Sequence, residues 1–199
     1  MYKLCKTEQS AKRQKEIEEL FLALLEMKSY EDVTVSELCE RAGMPRKAFY
    51  RYFDTKEDVI LALIDHTIAG YDSYVQKSTK SVGRTVASEL ESFFAFWLDG
   101  DARRLLVAVI KNSLEGHLIQ RSINFSVSEM PSIRRFMSSD VEDSAMLIFR
   151  FVITGLMSVT LSWFKDGCKE SPHDMASVVQ RLVAEPIFPN LETYGIMKK

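Results

Sequence analysis

Residues 34–56 read TVSELCERAGMPRKAFYRYFDTK, and this stretch decides the fold. Thr34 stands three places before Glu37, the capping-box spacing in which a hydroxyl and a carboxylate answer each other's unpaired backbone N–H groups at a helix start. Val35, Leu38, Cys39 and Ala42 then fall on one apolar face, and Gly43 sits where a left-handed residue ends a helix. Pro45 presets the backbone for a second helix over Arg46 to Phe53, which is too short to stand alone and must be held by packing. Phe49 and Phe53, four apart, are its natural anchors. Two short helices around a glycine turn read as a helix-turn-helix.

With Phe49 and Phe53 facing inward, Arg46, Lys47, Tyr50 and Arg51 project from the opposite side. Arginine and lysine donate to guanine O6 and N7, and all these residue types bind phosphate oxygens, so the face suits a major groove. The plainer alternative is a solvated charged face on a small helix. Turn, caps and aromatic pair agree with one another, which favours nucleic acid.

Residues 34–64, TVSELCERAGMPRKAFYRYFDTKEDVILALI, resemble the DNA-binding signature of the TetR family of bacterial regulators: a Thr-led helix, an Ala-Gly turn, a Tyr-x-Tyr-Phe stretch and a following Lys-Glu. The resemblance covers about the first third of the chain. It implies that Thr34 and Lys56 touch phosphates, that Arg46, Lys47 and Ala48 face bases, and that Tyr50 and Tyr52 grip the DNA backbone. Pro45 stands where the family often has a capping Ser, and Ala48 where Gly or Thr is common, so base preference should differ from that of better-known members. The segment WFKDGCKESPHDMA, residues 163–176, is similar to part of the subgroup that includes activators of dihydroxyacetone kinase genes.

The whole chain gives no electrostatic sign of a DNA binder. It has 199 residues, with 26 Lys and Arg against 28 Asp and Glu for a formal charge of −2, so DNA contact must come from a local face. Cys5, Cys39 and Cys168 are odd in number and widely spaced, which argues against a disulfide framework or a zinc site and fits a reducing cytoplasm. No apolar signal segment opens the sequence. The most apolar run, Phe151 to Phe164, falls short of the ~20 residues a bilayer requires and reads as a buried helix, so no membrane partner is expected.

Elsewhere the chain reads as helices only. The polar first nine residues read as a solvated arm, with Lys3, Lys6, Lys12, Arg13 and Lys15 ahead of the motif; the family resemblance implies, as the alternative, an arm that reaches along DNA. Ile17, Leu20, Phe21, Leu24 and Leu25 mark a first helix over Ser10 to Lys28. Thr55 and Asp58 cap a long helix with an apolar stripe from Val59 to Tyr71, ending near Val75, and Gln76 to Gly83 reads as a loop. A helix containing Phe93, Phe94 and Trp97 ends at Asp99-Gly100, and another continues from Leu105 toward His117. Ser122 to Ser138 carries weak helix signals. Ser139 and Glu142 open a helix apolar on nearly every face from Ala145 to Phe164, ended by Gly167. A last helix starts at Ser171-Pro172-His173-Asp174, with a stripe of Met175, Val178, Val179, Leu182 and Val183, and a tail follows Pro186 and Pro189.

The expected protein is therefore all-α: a helix-turn-helix three-helix DNA-binding domain over residues 8–67, joined by the long helix to a helical bundle over residues 68–199 for dimerisation and ligand binding. Bulky Phe93, Phe94, Trp97, Phe149 and Met157 suit either a filled core or an effector cavity. Gly155, Ser158, Ser162, Val179 and Leu182 are the expected dimer contacts. The function read is a homodimeric regulator on a palindromic double-stranded operator, a repressor with activation as the alternative, modulated by a small molecule of unknown identity. An architectural DNA binder without effector is a second reading. An all-helical enzyme is a third, weakened because His66, His117 and His173 are isolated and Asp140, Glu142 and Asp143 suit a helix start. No catalytic residue, cofactor or metal is expected.

Overall fold

The computed structural model describes residues 2–3, 7–78, 85–129 and 142–184. Among them the chain is all-α: α1 (Glu8–Met27), α2 (Val35–Arg41), α3 (Arg46–Phe49), α4 (Lys56–Ser78), α5 (Val86–Leu98), α6 (Gly100–Lys111), α7 (Glu115–Glu129), α8 (Glu142–Lys165) and α9 (Pro172–Ala184).

Local chemistry sets most of these boundaries. Thr34 Oγ1 accepts the Glu37 N–H at 3.2 Å, and Gly43 adopts the left-handed φ of +58° behind α2. The Glu37 carboxylate does not complete the expected box, because the Lys28 ammonium and, at 3.4 Å, the Arg41 guanidinium hold it instead. At the start of α4 the box closes in full: Asp58 N–H donates to Thr55 Oγ1 and Thr55 N–H to Asp58 Oδ2, both at 3.1 Å. Ser171 and Asp174 cap α9 in the same reciprocal way, and Gly167, at φ +88°, stops α8.

Three expectations about helix extent are corrected. The helix expected to continue toward His117 breaks after Lys111, where Ser113 takes a φ of +56°. Asn112 explains the break: its carbonyl accepts Tyr30 N–H at 2.6 Å and its amide donates to Ala108 O at 2.8 Å, tying this corner to the loop behind α1. In turn α4 runs three residues beyond Val75, and α7 reaches Glu129 through the serine-rich stretch. The Ser139 cap, Asp140, Cys5, the tail after Pro186 and most of the Gln76–Gly83 loop lie outside the described residues.

The head formed by α1, α2, α3 and the start of α4 closes around Ile17, Phe21, Leu25, Leu38, Phe49 and Phe53, all essentially inaccessible. From there α4 passes into the body, packing on α1, α5 and α7, while α9 lies along α5. One polar cluster crosses the junction. Asp65, fully buried on α4, accepts Arg121 Nε from α7 at 2.8 Å and the Tyr2 hydroxyl at 2.7 Å, with a second Arg121 contact through Nη2.

The reading of α8 as buried all round is also corrected. Met157, Thr160, Leu161 and Trp163 face the body, but Leu147, Ile148, Phe151 and Val152 are exposed, Phe151 at 74%. Within α8, the 20-residue span Met146–Lys165 holds an 18-residue window of mean hydropathy 1.7 with 22% of it buried, long and apolar enough for a bilayer by length and composition only. Its apolar surplus is a face rather than a full circumference, because the opposite face is already packed.

Candidate nucleic-acid interface

Phe49 and Phe53, both at 0% exposure with ring centroids 5.7 Å apart, pin the inner side of α3 to the head core. That fixes what the outer side presents. Arg46, Lys47 and Arg51 are exposed and Tyr50 is 41% exposed. Arg46 Nη2 donates to Tyr50 Oη at 3.2 Å across one turn, which holds the two as a unit. Lys47 and Arg51 have no ion-pair partner among the described residues, leaving both cations available. The regular helix stops at Phe49, four residues short of the expected end, and the chain continues in turns through Tyr52.

Thr34 is exposed at the tip of α2, its hydroxyl oxygen capping Glu37 and its own proton free to donate. Ala48 is half-buried, and half-buried Tyr52 packs against the head core. The expectation for Lys56 is revised. Its ammonium donates to Tyr30 O at 2.7 Å and to Glu31 O and Val33 O at 3.1 Å each, and lies 4.4 Å from the Tyr30 ring centroid. All three protons are engaged by the loop before α2, so in the chain without DNA Lys56 braces the head.

Two of the basic residues ahead of the motif, Lys3 and Arg13, are likewise used inside the head. Lys3 N–H donates to Tyr52 O at 3.0 Å, and its ammonium to Tyr50 O at 2.6 Å and Asp54 Oδ1 at 2.8 Å. Residues 2–3 thus run back over the end of α3, while Tyr2 reaches Asp65. Burial first, then the hydrogen bond to Asp65, push the Tyr2 phenol well above its ordinary range, so it stays a donor. Arg13 donates to Ala42 O at 2.5 Å and closes the end of α2. None of this bracing was legible in the sequence. A signal existed for Asp65, an acid flanked by the apolar Ile64 and Ile68 of α4.

In the body, Phe94, Trp97 and Met157 are buried and take part in packing, Phe94 against Trp163 at 5.8 Å and Trp97 beside Phe93 and Phe96. Phe93 alone of the five expected ligand residues lines the apolar recess of about 510 Å³ bounded by Tyr71, Leu90 and Leu156, while Phe149 is half-buried on α8. Among the expected dimer residues, Gly155, Ser158 and Ser162 are exposed along α8 and Leu182 is 41% exposed on α9. Val179 is corrected: at 9% exposure it packs with Phe94, Trp163 and Ala176, and Val178 takes the outward position. Each histidine meets a glutamate, His66 with Glu18, His117 with Glu57 and His173 with Glu91. No group of three metal-ligating side chains occurs among the described residues.

An exposed cationic face on a short helix braced by a capped partner helix defines a helix-turn-helix protein. Residues 20–63 match the family model described as bacterial regulatory proteins, tetR family, and residues 103–185 match the transcriptional regulator C-terminal region. The chain belongs to the TetR family of transcriptional regulators, which are not enzymes. It is 37% identical over 75 residues to the HTH-type transcriptional regulator EthR of Mycolicibacterium smegmatis, a match covering 36% of this chain and 35% of that protein. With EthR of Mycobacterium tuberculosis H37Rv it shares 40% over 53 residues, 27% of this chain and 24% of the relative. The chain thus spans about a third or less of the length of these curated relatives.

Two solved structures share the fold. The fatty acid degradation regulator FadR from Bacillus halodurans superposes with a TM-score of 0.58 at 14% identity, over 92% of this chain and 98% of that one. The TetR family repressor AlkX from Dietzia sp. strain DQ12-45-1b, implicated in biodegradation of n-alkanes, gives 0.52 at 19% identity, over 90% and 95%. The short likeness to dihydroxyacetone kinase activators is not supported by these matches.

Proposed function

We propose that this chain binds double-stranded operator DNA as a homodimer, with α3 of each protomer in a major groove, and acts in the cytoplasm as a repressor whose DNA affinity a small molecule modulates. One observation carries the reading: Arg46, Lys47, Tyr50 and Arg51 share an exposed face that buried Phe49 and Phe53 hold rigid from behind. Arg46 and Lys47 read base edges, with Ala48 close to the base pairs. Thr34, Tyr50, Arg51 and Tyr52 hold phosphates, and Lys56 positions the loop that carries α2. Residues 8–67 form the reading domain and 68–199 the assembly and effector domain.

The dimer reading is supported by one file of exposed residues along α8. Leu147, Phe151, Gly155, Ser158 and Ser162 recur at helical spacing, with Val178 and Leu182 outward on α9. An exposed apolar strip of this kind marks an interface, and its small residues let a second copy approach. A two-fold pair sets two α3 helices on successive faces of an inverted repeat. For the effector, the recess beside Phe93 adjoins Tyr71 of α4, the helix that begins beside α3, so occupancy there bears on the spacing of the reading heads.

Selection of bound duplexes from a randomised pool tests this reading. It should enrich an inverted repeat whose half-sites lie a helical turn or a multiple apart, carrying two protomers by sedimentation. Failure to enrich any sequence would remove operator recognition; an asymmetric site bound by one protomer would remove the dimer.

A further inference from the structure

The break between α6 and α7 is a closed corner. Ser113 N–H donates to Ile110 O at 3.3 Å and Leu114 N–H to Val109 O at 2.9 Å, the paired closure that ends a helix on a left-handed residue. Ser113 fills that position at φ +56° in spite of its Cβ, a conformation kept only where the surroundings enforce it, and Leu114 is buried behind it. Asn112, at the end of α6, turns its side chain across to the head. Its Oδ1 accepts Tyr30 N–H at 2.6 Å, and its Nδ2 donates to Leu25 O at 3.3 Å and back to Ala108 O at 2.8 Å. Tyr30 lies in the loop of residues 28–33 that joins α1 to α2, with its ring edge-on to buried Phe21 at 6.2 Å. Lys56 holds the same loop through Tyr30 O, Glu31 O and Val33 O. A shift of Asn112 is therefore passed to the starts of α2 and α4 together. On the body side, α7 leaves the corner to pack on α4 and α8.

We propose that Asn112 is a positioning residue for operator recognition: it fixes the angle between reading head and body, and with it the half-site spacing that a dimer accepts. The proposal rests on the dimeric operator reading above. Because α4 already joins head and body, a second tie at the end of α1 is what removes rotation about it. Apolar contact alone does not supply that tie. Head and body share one continuous apolar core, but its attraction is non-directional and lets one helix rock on another. Arg104 and Lys111 also bridge α6 to α1, Arg104 to Glu19 and Glu26 at 3.3 and 2.9 Å and Lys111 to Glu26 O at 2.6 Å. Both side chains are long, and Arg104 and its two partners are each 39% exposed, where water screens the pairs. Asn112 is short and half-buried, and it holds main-chain groups on both sides of the α1 end. DNA makes the angle readable, since one base pair added between half-sites displaces one of them by about 3.4 Å and turns it by about 35°.

The test is an anisotropy titration of the full chain on its selected inverted repeat and on repeats whose spacer is one base pair longer or shorter. The parent chain should prefer its own spacing by about tenfold or more, because a wrong spacing denies the second head its site. Asn112→Ala should cut that preference at least about threefold, since a freed head adapts to the wrong spacing more readily. Base preference within each half-site and the salt slope should stay those of the parent. A residue that served folding alone would lower the melting temperature and leave the spacer preference as it was. Arg104→Ala, which removes only the screened pairs, should also leave it unchanged. If Asn112→Ala does not fold, Asn112→Ser carries the same prediction, because its hydroxyl can return to Ala108 O but is too short to reach Tyr30. A folded Asn112 variant with the parent's spacer preference overturns the assignment, as does an equal effect of Arg104→Ala. Failure of both Asn112 variants to fold would make Asn112 a folding residue and overturn it too. A parent chain indifferent to spacing would remove the dimeric reading itself, and this assignment with it.

Discussion

Among the described residues the outer faces of α3 and α8 are both without a partner, yet they are built from opposite chemistry. On α3 the exposed side carries Arg46, Lys47, Tyr50 and Arg51; on α8 it carries Leu147, Phe151 and the small Gly155, Ser158 and Ser162. Free cations seek a polyanion, and free apolar surface seeks its like. The contrast explains how a chain of net charge −2 can address DNA, because Arg46, Lys47 and Arg51 gather on one small exposed face.

The largest expected effect comes from breaking the α8 face. Phe151→Glu places a charge in the middle of the strip and should yield a monomer by sedimentation, with the head still folded. Loss of the second reading head should cost operator affinity ~10²- to 10⁴-fold, the scale of lost bivalency. A Phe151→Glu dimer with unchanged operator affinity would move the interface elsewhere.

Next in size is the junction. Arg121→Ala leaves Asp65 buried with only the Tyr2 hydroxyl as a described partner, and removal of one member of a buried ion pair costs on the order of 3 kcal/mol. Urea denaturation should show that loss, and Asp65→Asn with Arg121 retained should also destabilise. A change under about 1 kcal/mol in both would mean that the cluster is solvated in solution.

Lys56→Ala separates bracing from DNA contact within the head. It removes three hydrogen bonds to carbonyls, so stability should fall by about 1–3 kcal/mol, while the slope of log affinity against log salt should stay that of the parent. Arg51→Ala should do the reverse, leaving stability alone and reducing the slope by about one.

The smallest effect is one of pH. The hydrogen bond to Glu18 raises the His66 pKa, with burial opposing and Asp65 adding to the rise; Lys15 opposes it, and the Tyr2 ring lies edge-on at 6.0 Å. A histidine pKa raised by folding stabilises the fold fully below the ordinary histidine range, and that contribution is lost as pH rises through the raised value. Stability should therefore decline more from pH 6 to pH 8 in the parent chain than in His66→Asn. Because His66 is half-exposed, the difference should be small.

These contrasts also mark what a sequence can disclose. The reading head was legible because its determinants are local: Thr34 against Glu37 N–H, Gly43 at positive φ, and Phe49 four residues before Phe53. What escaped depends on residues distant in the chain. Lys56 is committed to carbonyls more than 20 residues earlier, the Tyr2–Asp65–Arg121 cluster joins three separate segments, and a run apolar enough for a core helix does not say which side the body covers. Val179 illustrates the same limit: on α9 it differs from outward Val178 by one position and about 100° of rotation.

The central claim is that α3 reads sequence through Arg46 and Lys47. The most direct measurement is a fluorescence anisotropy titration, at fixed salt, of the selected operator and of duplexes changed one base pair at a time, with the parent chain, Arg46→Ala and Lys47→Ala. Each substitution should cost ~1–3 kcal/mol on the operator and flatten discrimination at one symmetric pair of positions only. Equal discrimination at every position in all three proteins would place the reading surface elsewhere than α3.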